Sequence, residues 1–271
     1  MKKTRMDFQR RNEALLKEER HAVILELIHQ KQNVQVKELQ DQFHVSDETV
    51  RRDLIALEKQ GLLRCVHGGA VYDRPTAREY HVDLRIKQNQ LEKEAICQTA
   101  ATLVKDGQSV AIAASTTTLP LGTLLVLKNN LTVVTNSIYL ANQIAENKSN
   151  TVCLIGGRLW VREQKNMGSL AANMFRQFRV DKAFFSVAGV SPHQGIMEYT
   201  EAEMELTRAV MESARERILL TDASKYEAMA FYKIDDIKAI SQIVTDWHIG
   251  QKEMLPYEKL GIVTHRAEHR K

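Results

Sequence analysis

Apolar positions in the first sixty residues fall at helical spacing in three successive segments. Between Arg20 and His29, Val23, Ile24, Leu27 and Ile28 form one stripe on a short helix. After a break around Lys31 to Val34, VKELQDQF places Val36, Leu39 and Phe43 at i, i+3 and i+7, a second short helix. His44-Val45 leads to a third helix over about Asp47 to Gln60. Ser46 is its N-cap, Asp47 and Glu48 occupy the first turn where the helix dipole favours acids, and Gly61 is its stop. Val50, Leu54 and Leu57 share one face. LLRCVHGGAVY then predicts two short strands about a Gly68-Gly69 turn, and a linker begins near Asp73-Arg74-Pro75.

Beyond the linker the texture changes. A helix is predicted over Gln90 to Val104, and the runs SVAIAA, LTVVT, TVCLI, KAFFSVA, RILLTD and SQIVTD alternate with helical patterns. Most runs are continuously apolar, as in strands buried on both faces of a largely parallel sheet covered by helices. The fold class is therefore α/β with a separate N-terminal helical module.

Composition adds exclusions. With 271 residues, 44% hydrophobic and 27% charged, the chain is that of an autonomously folding protein, and two domains are expected. No uncharged apolar run approaches the roughly 18 residues that span a bilayer, and MKKTRMDFQRRN lacks a signal-peptide core, so a cytoplasmic protein without a membrane partner is expected. Cys65, Cys97 and Cys153 are too scattered for a disulfide framework or a zinc cluster, and no cofactor is expected. The net charge of +4 permits an acidic partner without requiring one. Five of the first eleven residues are basic. This arm reads either as a solvated leader or as a basic segment entering a minor groove.

On a helical wheel of the third helix, Arg52 points away from the core between Glu48, Thr49 and Lys59, with Arg51 to one side. One guanidinium so placed reaches a guanine edge while its neighbour meets a phosphate. Alone, Arg-Arg reads as a solvated face. The two preceding helices, the tight connection and the hairpin carrying Arg64 and His67 supply a winged helix-turn-helix in chain order.

VKELQDQFHVSDETVRRDLIALEKQGLLRCVHGGA closely resembles the N-terminal signature of DeoR-type bacterial transcriptional regulators. The resemblance implies double-stranded operator DNA as partner, met by Ser46, Thr49, Arg51 and Arg52, with Arg64 and His67 in the wing or its approach. Cys65 stands where the family commonly has a second wing arginine.

In the second region Ser115-Thr116-Thr117-Thr118 follows an apolar strand and precedes a helix containing Pro120. Thr135-Asn136-Ser137, Ile155-Gly156-Gly157 and then Asp222, Ser224 and Lys225 close later strands. Carboxyl ends of strands line the ligand crevice of open α/β sheets, and backbone N–H groups with short hydroxyls hold anions. Each residue alone reads as a cap or turn. Together they suit a phosphorylated polyol or sugar, with Lys225 as the point charge and Asn136 and Asp222 on hydroxyls.

STTT, VTNS, IGG, DKAFFSVAGV and LLTDASKY are similar to landmarks of the DeoR-type sensor domain, whose fold is similar to ribose-5-phosphate isomerase. The resemblance implies ligand contacts at Thr116, Thr117, Asn136, Ser137 and Lys225, with Ser115 beside them and Asp222 and Glu203 in the pocket. Ala113 replaces a usual aspartate, and Ser115 adds a side chain where backbone usually approaches the ligand.

The expected organisation is a basic extension (1–19), a winged helix-turn-helix (20–74), a linker (75–90) and a sensing and oligomerisation domain (91–271). The expected function is repression of sugar or carbohydrate genes by a homodimer or homotetramer that responds to a phosphorylated sugar. Two alternatives remain: an oligomerisation platform with a degenerate pocket, motivated by Ala113, and an isomerase-like enzyme using Lys225, Asp222 and Glu203 for proton transfer. The chain has no Walker P-loop, GxGxxG or HExxH, and an isomerase has no use for a DNA-reading module.

Overall fold

The structure, a computed structural model, describes residues 17–31, 33–59, 63–66, 68–71 and 82–269. The chain divides into two compact units, 1–81 and 82–271.

The first unit runs α1 (Lys17–Lys31), β1 (Asn33–Gln35), α2 (Val36–Phe43), α3 (Asp47–Lys59), β2 (Arg64–Val66) and β3 (Gly69–Val71). Its core joins Ile24 and Ile28 of α1, Val36, Leu39 and Phe43 of α2, and Val50, Leu54 and Leu57 of α3, closed by Leu63 and Ala70. The apolar stripes expected on the three helices are thus the faces that meet. The expected stop Gly61 lies outside the described residues.

The hairpin has a third strand that the sequence did not announce. Its order is β1-β3-β2, antiparallel, with Gln35 opposite Gly69. Gly69, expected in the turn, belongs to β3: a Cβ there would sit 2.1 Å from the Val34 carbonyl oxygen, so only glycine permits the pairing. Gly68, at φ +84, makes the turn, and its carbonyl accepts from the Val36 N–H at 2.9 Å.

The second unit opens with α4 (Val82–Lys87) and α5 (Gln90–Thr102) and then builds a seven-stranded parallel sheet. Its strands are β4 (Ser109–Ile112), β5 (Thr132–Thr135), β6 (Thr151–Leu154), β9 (Val180–Phe185), β12 (Ala214–Thr221), β14 (Gln242–Thr245) and β15 (Val263–Arg266), in the order β15-β14-β12-β9-β4-β5-β6. Six are the expected apolar runs; β15, the edge strand VTHR, carries too little apolar pattern to be read. On one face Ile96, Cys97 and Ala100 of α5 pack with α6 (Leu121–Leu125) and α7 (Ile138–Ile144). On the other lie α8 (Ser169–Phe175) and α9 (Glu201–Glu212), with Tyr257 of α10 (Gln251–Glu258). Adjacent strand residues serve opposite faces: Ala111, Ala183 and Leu219 one, Ile112, Phe184 and Ile218 the other. A hairpin of β7 (Arg158–Trp160) and β8 (Lys165–Met167), and an antiparallel sheet of β10 (Gly189–Ser191), β11 (Gly195–Glu198) and β13 (Tyr232–Asp235), lie outside the main sheet.

Residues 82–90, expected within the linker, instead form α4 and the entry to α5. The physical reason is remote: the buried ammonium of Lys93 on α5 donates to the carbonyl of Arg85 and, at 2.6 Å, to that of Gln88. No helix among the described residues is long and apolar enough to cross a membrane.

Candidate functional site

In the first unit α2 ends at His44, which turns left-handed (φ 54) and donates its N–H to the Gln40 carbonyl at 2.8 Å. Val45 and Ser46 complete the turn into α3. Ser46 Oγ accepts from the Thr49 N–H at 3.3 Å and lies 2.9 Å from Thr49 Oγ1, while its carbonyl takes the Val50 N–H at 3.1 Å. Ser46 therefore caps α3, and both hydroxyls stand at its exposed N-terminus.

Arg51 is paired with Asp47, its Nη2 3.3 Å from Oδ2, and Arg52 Nη2 donates to Glu48 Oε1 at 2.6 Å. Both pairs stand in solvent one turn apart along α3. Such pairs hold little free energy against water, so each arginine can exchange its acid for a phosphate or a base edge. A cleft of about 590 Å³ flanks this surface, with Lys37, His44 and Arg51 among its lining. Arg64 contributes backbone to β2, but its side chain, like all of His67, lies outside the described residues. Cys65 donates its N–H to Glu58 Oε1 at 2.7 Å; burial, then the charge of Glu58, pushes its thiol up to about 11.

The orientation of α3 depends on a residue that the sequence reading overlooked. Asp53, on the buried side of α3, accepts from Arg20 Nε at 2.8 Å and lies 3.2 Å from His21 Nε2, both on α1. A carboxylate between Val50, Leu54 and Leu57 was the available signal, since a buried acid requires cations.

In the second unit the expected ligand groups gather at carboxyl ends of sheet strands. After β4, Ser115 and Thr118 cap one another: the Ser115 N–H reaches Thr118 Oγ1 at 2.9 Å and the Thr118 N–H reaches Ser115 Oγ at 3.1 Å. The Thr118 hydroxyl donates to the Ala113 carbonyl at 2.7 Å. The hydroxyls of Thr116 and Thr117 make no hydrogen bond with the described residues. Asn136, fully buried after β5, accepts the Ala114 N–H on Oδ1 at 2.8 Å and donates from Nδ2 to the Asn166 carbonyl at 2.9 Å. Its amide braces the β4 turn. Ser137 caps α7, its Oγ accepting from the Leu140 N–H at 3.2 Å.

After β12, Asp222 accepts from the Ser224 N–H at 3.0 Å and from Asn89 Nδ2 at 3.1 Å. Asp246, after β14, accepts the Ala223 N–H at 2.7 Å. The half-buried Lys225 has no carboxylate within ion-pair distance among the described residues. Thr200 caps α9, its Oγ1 accepting from the Glu203 N–H at 3.2 Å and donating to Glu203 Oε2 at 3.0 Å, and Glu203 Oε1 lies 3.2 Å from Lys165 Nζ.

Four charged groups here went unread in the sequence. Lys93 is 5% exposed; burial brings its pKa down to about 8, with Lys225 and Arg85 pushing the same way against Asp222. Arg85 lies 3.5 Å from Glu163, and its buried Nε and Nη2 lack hydrogen-bond partners. Arg85, Lys93 and Lys225 thus form a cationic group with unspent donor capacity. Lys165 is buried 2.6 Å from Glu163, with Nζ 5.0 Å from the centroid of the Trp160 ring. Burial lowers its pKa, but Glu203 and Glu163 more than offset that and hold it above the ordinary value. Burial, and then Glu203, pushes the Glu198 carboxyl up to about 8 against Lys165 and Lys225. Lys93 had a legible signal, since it shares the buried stripe of α5 with Ile96, Cys97 and Ala100; Lys165 and Glu198, on very short strands, had none.

Comparison with known proteins places both units. Residues 20–76 match the DeoR-like helix-turn-helix domain, and residues 88–247 match the DeoR C terminal sensor domain. The HTH-type transcriptional regulator YgbI of Escherichia coli (strain K12) is 34% identical, covering 84% of this chain and 89% of its own. The HTH-type transcriptional regulator GolR of Listeria innocua is 32% identical across 92% and 98%. The glycerol-3-phosphate regulon repressor of Escherichia coli is 30% identical across 84% and 90%. Among solved structures, ribose 5-phosphate isomerase A of Methanocaldococcus jannaschii aligns with 51% of this chain and 55% of its own at 16% identity and a TM-score of 0.37, a similarity from which nothing about function follows. With both family domains matched in chain order and regulators aligned across nearly the whole length, the chain belongs to the DeoR family, as a DNA-binding transcriptional regulator and not an enzyme.

Proposed function

We propose that the protein represses genes of sugar or carbohydrate metabolism and that a phosphorylated sugar or polyol, bound in the second unit, modulates its grip on the operator. The observation that carries this reading is the cationic group Arg85, Lys93 and Lys225 around Asp222, with two buried Arg85 nitrogens that lack hydrogen-bond partners. A phosphate needs such cations, and Asp222 among them offers an acceptor for a sugar hydroxyl. One relative, the glycerol-3-phosphate regulon repressor of Escherichia coli, is named for a regulon of a phosphorylated polyol.

In this reading Ser46, Thr49, Arg51 and Arg52 meet the operator, with Arg64 and His67 on the wing. Ser115, Thr116, Thr117 and Ser137 serve the phosphate end. Asn136 holds their loop, Asp222 takes a sugar hydroxyl, Glu203 orders the wall through Lys165, and Lys225 supplies the point charge. The protein works in the cytoplasm as a dimer or tetramer, because one short helix reads too few base pairs and paired copies address paired half-sites. Ligand binding then favours a subunit arrangement with poorer operator fit.

The test is an operator-binding assay on DNA upstream of the protein's own gene, with and without a panel of sugar phosphates. At least one compound should change the operator Kd tenfold or more. Specific binding indifferent to every compound would favour instead the platform reading motivated by Ala113, and turnover of a compound would favour an enzyme.

A further inference from the structure

The second unit begins with α4, a helix of six residues, and three polar side chains tie this helix down. The buried ammonium of Lys93 takes carbonyls at its C-terminal end, which a helix cannot satisfy from within: that of Arg85 and, at 2.6 Å, that of Gln88. Asn89 turns left-handed (φ 53) into α5 and spends its amide on Asp222, at 3.1 Å, instead of capping α5. The third tie is the Arg85 guanidinium itself, 3.5 Å from Glu163 in the turn between β7 and β8.

The Arg85 tie is incomplete. Glu163 has a closer partner in Lys165, at 2.6 Å, and Arg85 Nε and Nη2 are buried without a hydrogen-bond partner. Desolvated donors of this kind count against the docked position of α4. Nε and Nη2 form one edge of the guanidinium fork, which meets two oxygens of a single phosphate or carboxylate. Arg85 and Lys225 both act through space on Lys93, so the charges that hold α4 are those assigned above to the effector's phosphate.

We infer that α4 is the element through which the effector acts on the DNA-binding unit: an anion accepting from Arg85 Nε and Nη2 stabilises α4 docked, and operator DNA favours α4 released. The inference rests on the effector reading proposed above and adds which element carries the signal. Two arguments select α4. The bonds that the anion completes exist only while α4 is docked, which gives the ligand the differential affinity for two states that any conformational response requires. In the chain, α4 directly follows residue 81, the last of the first unit. Because the effector weakens the grip on the operator, linkage requires the operator to favour the opposite state of the same element.

Hydrogen exchange of residues 82–88 in the full chain tests it. It is read for the protein alone, with operator DNA, and with each of inorganic phosphate, glucose 6-phosphate, fructose 1-phosphate and dihydroxyacetone phosphate. The compound that shifts the operator Kd should slow this exchange about tenfold, and operator DNA should speed it by a similar factor. Neither reading depends on a variant folding. Arg85→Gln then separates coupling from affinity. With the compound raised until calorimetry shows the site full, the variant's operator Kd should move less than about twofold where the wild type's moves tenfold or more. Lys225→Ala removes a charge that is not on α4, so at saturation it should regain the whole shift. If none of the four compounds binds, or one binds without moving the operator Kd, the effector reading and this inference fall together. If a compound moves the operator Kd while α4 exchange answers to neither it nor operator DNA, or while Arg85→Gln keeps the full shift at saturation, the effector reading stands and α4 is not its carrier.

Discussion

On the first unit Arg51 and Arg52 lean on acids four residues back on the same helix, in pairs open to water. In the second unit Lys165 is held by Glu163 and by Glu203 of another element, all three largely buried. An exposed pair gives up its partner cheaply, which suits the proposed exchange of these acids for DNA phosphates and base edges. A buried pair is fixed by the fold and fails expensively when one member is lost. The first arrangement stores availability, the second stores geometry. Asp53 breaks the division by unit, since it is a buried charge of the second kind beneath a surface of the first.

Asp53 therefore gives the hardest test. Asp53→Ala breaks the buried pairs with Arg20 and His21 and should destabilise the first unit by about 3–5 kcal/mol, comparable with the whole stability of a small domain. Hydrogen exchange in α3 should accelerate and operator binding collapse. Trp160 and Trp247, both in the second unit, should report an unchanged melt there. A variant with undisturbed α3 exchange would show that the apolar contacts alone orient the helix.

Next in size is Lys225→Ala, which removes a cation with no structural partner. The sugar phosphate that acts in the operator assay should lose about 1.5–3 kcal/mol of affinity, roughly 10- to 100-fold. Operator binding without effector should stay intact. Loss of stability here, measured by tryptophan fluorescence, would mean that Lys225 belongs with Lys165 as a structural charge.

Arg52→Ala should cost about 1–3 kcal/mol of operator discrimination per half-site and change stability by less than about 0.5 kcal/mol. Arg52→Lys keeps the charge but loses the planar fork, so it should keep salt-dependent binding and lose base preference. Full sequence-specific binding by the alanine variant would move the reading of bases to another residue.

What the sequence disclosed follows the same physics. The third helix was legible because Ser46 caps it and Val50, Leu54 and Leu57 keep period, and five inner strands because burial on both faces makes them continuously apolar; the edge strand β6 carries the same apolar pattern while only half covered. The α/β class and the winged module followed from these. β1 was not legible, because the three residues NVQ form a strand only by pairing with β3. α4 was not, because its anchor is the Lys93 ammonium. In the second unit, side chains that cap strand ends and Lys225 were readable by type, but the other cations, Arg85, Lys93 and Lys165, went unread, although Lys93 sits on the buried stripe of α5. Lysine ordinarily marks solvent, and Lys93 and Lys165 are buried.

A last comparison concerns pH and separates two buried titratable groups of the second unit. Glu198 faces Glu203, Lys165 and Lys225, and its carboxyl rises from the ordinary 4.5 to about 8. The stability it contributes is complete below the unfolded value and is lost as pH rises through about 8. Lys93 faces Asp222, Lys225, Arg85 and Glu92 and falls from 10.5 to about 8, so its contribution is complete above the unfolded value and is lost as pH falls through about 8. The two slopes oppose each other, and the second unit should pass through a stability minimum near pH 8, read as Tm by tryptophan fluorescence. Glu198→Gln should flatten the acid limb between pH 6 and 8 and leave the alkaline limb, and Lys93→Met the reverse. An acid limb unchanged in Glu198→Gln would assign that slope to other groups, and Glu198 would then be ionised in the folded protein, one more fixed partner of Lys165.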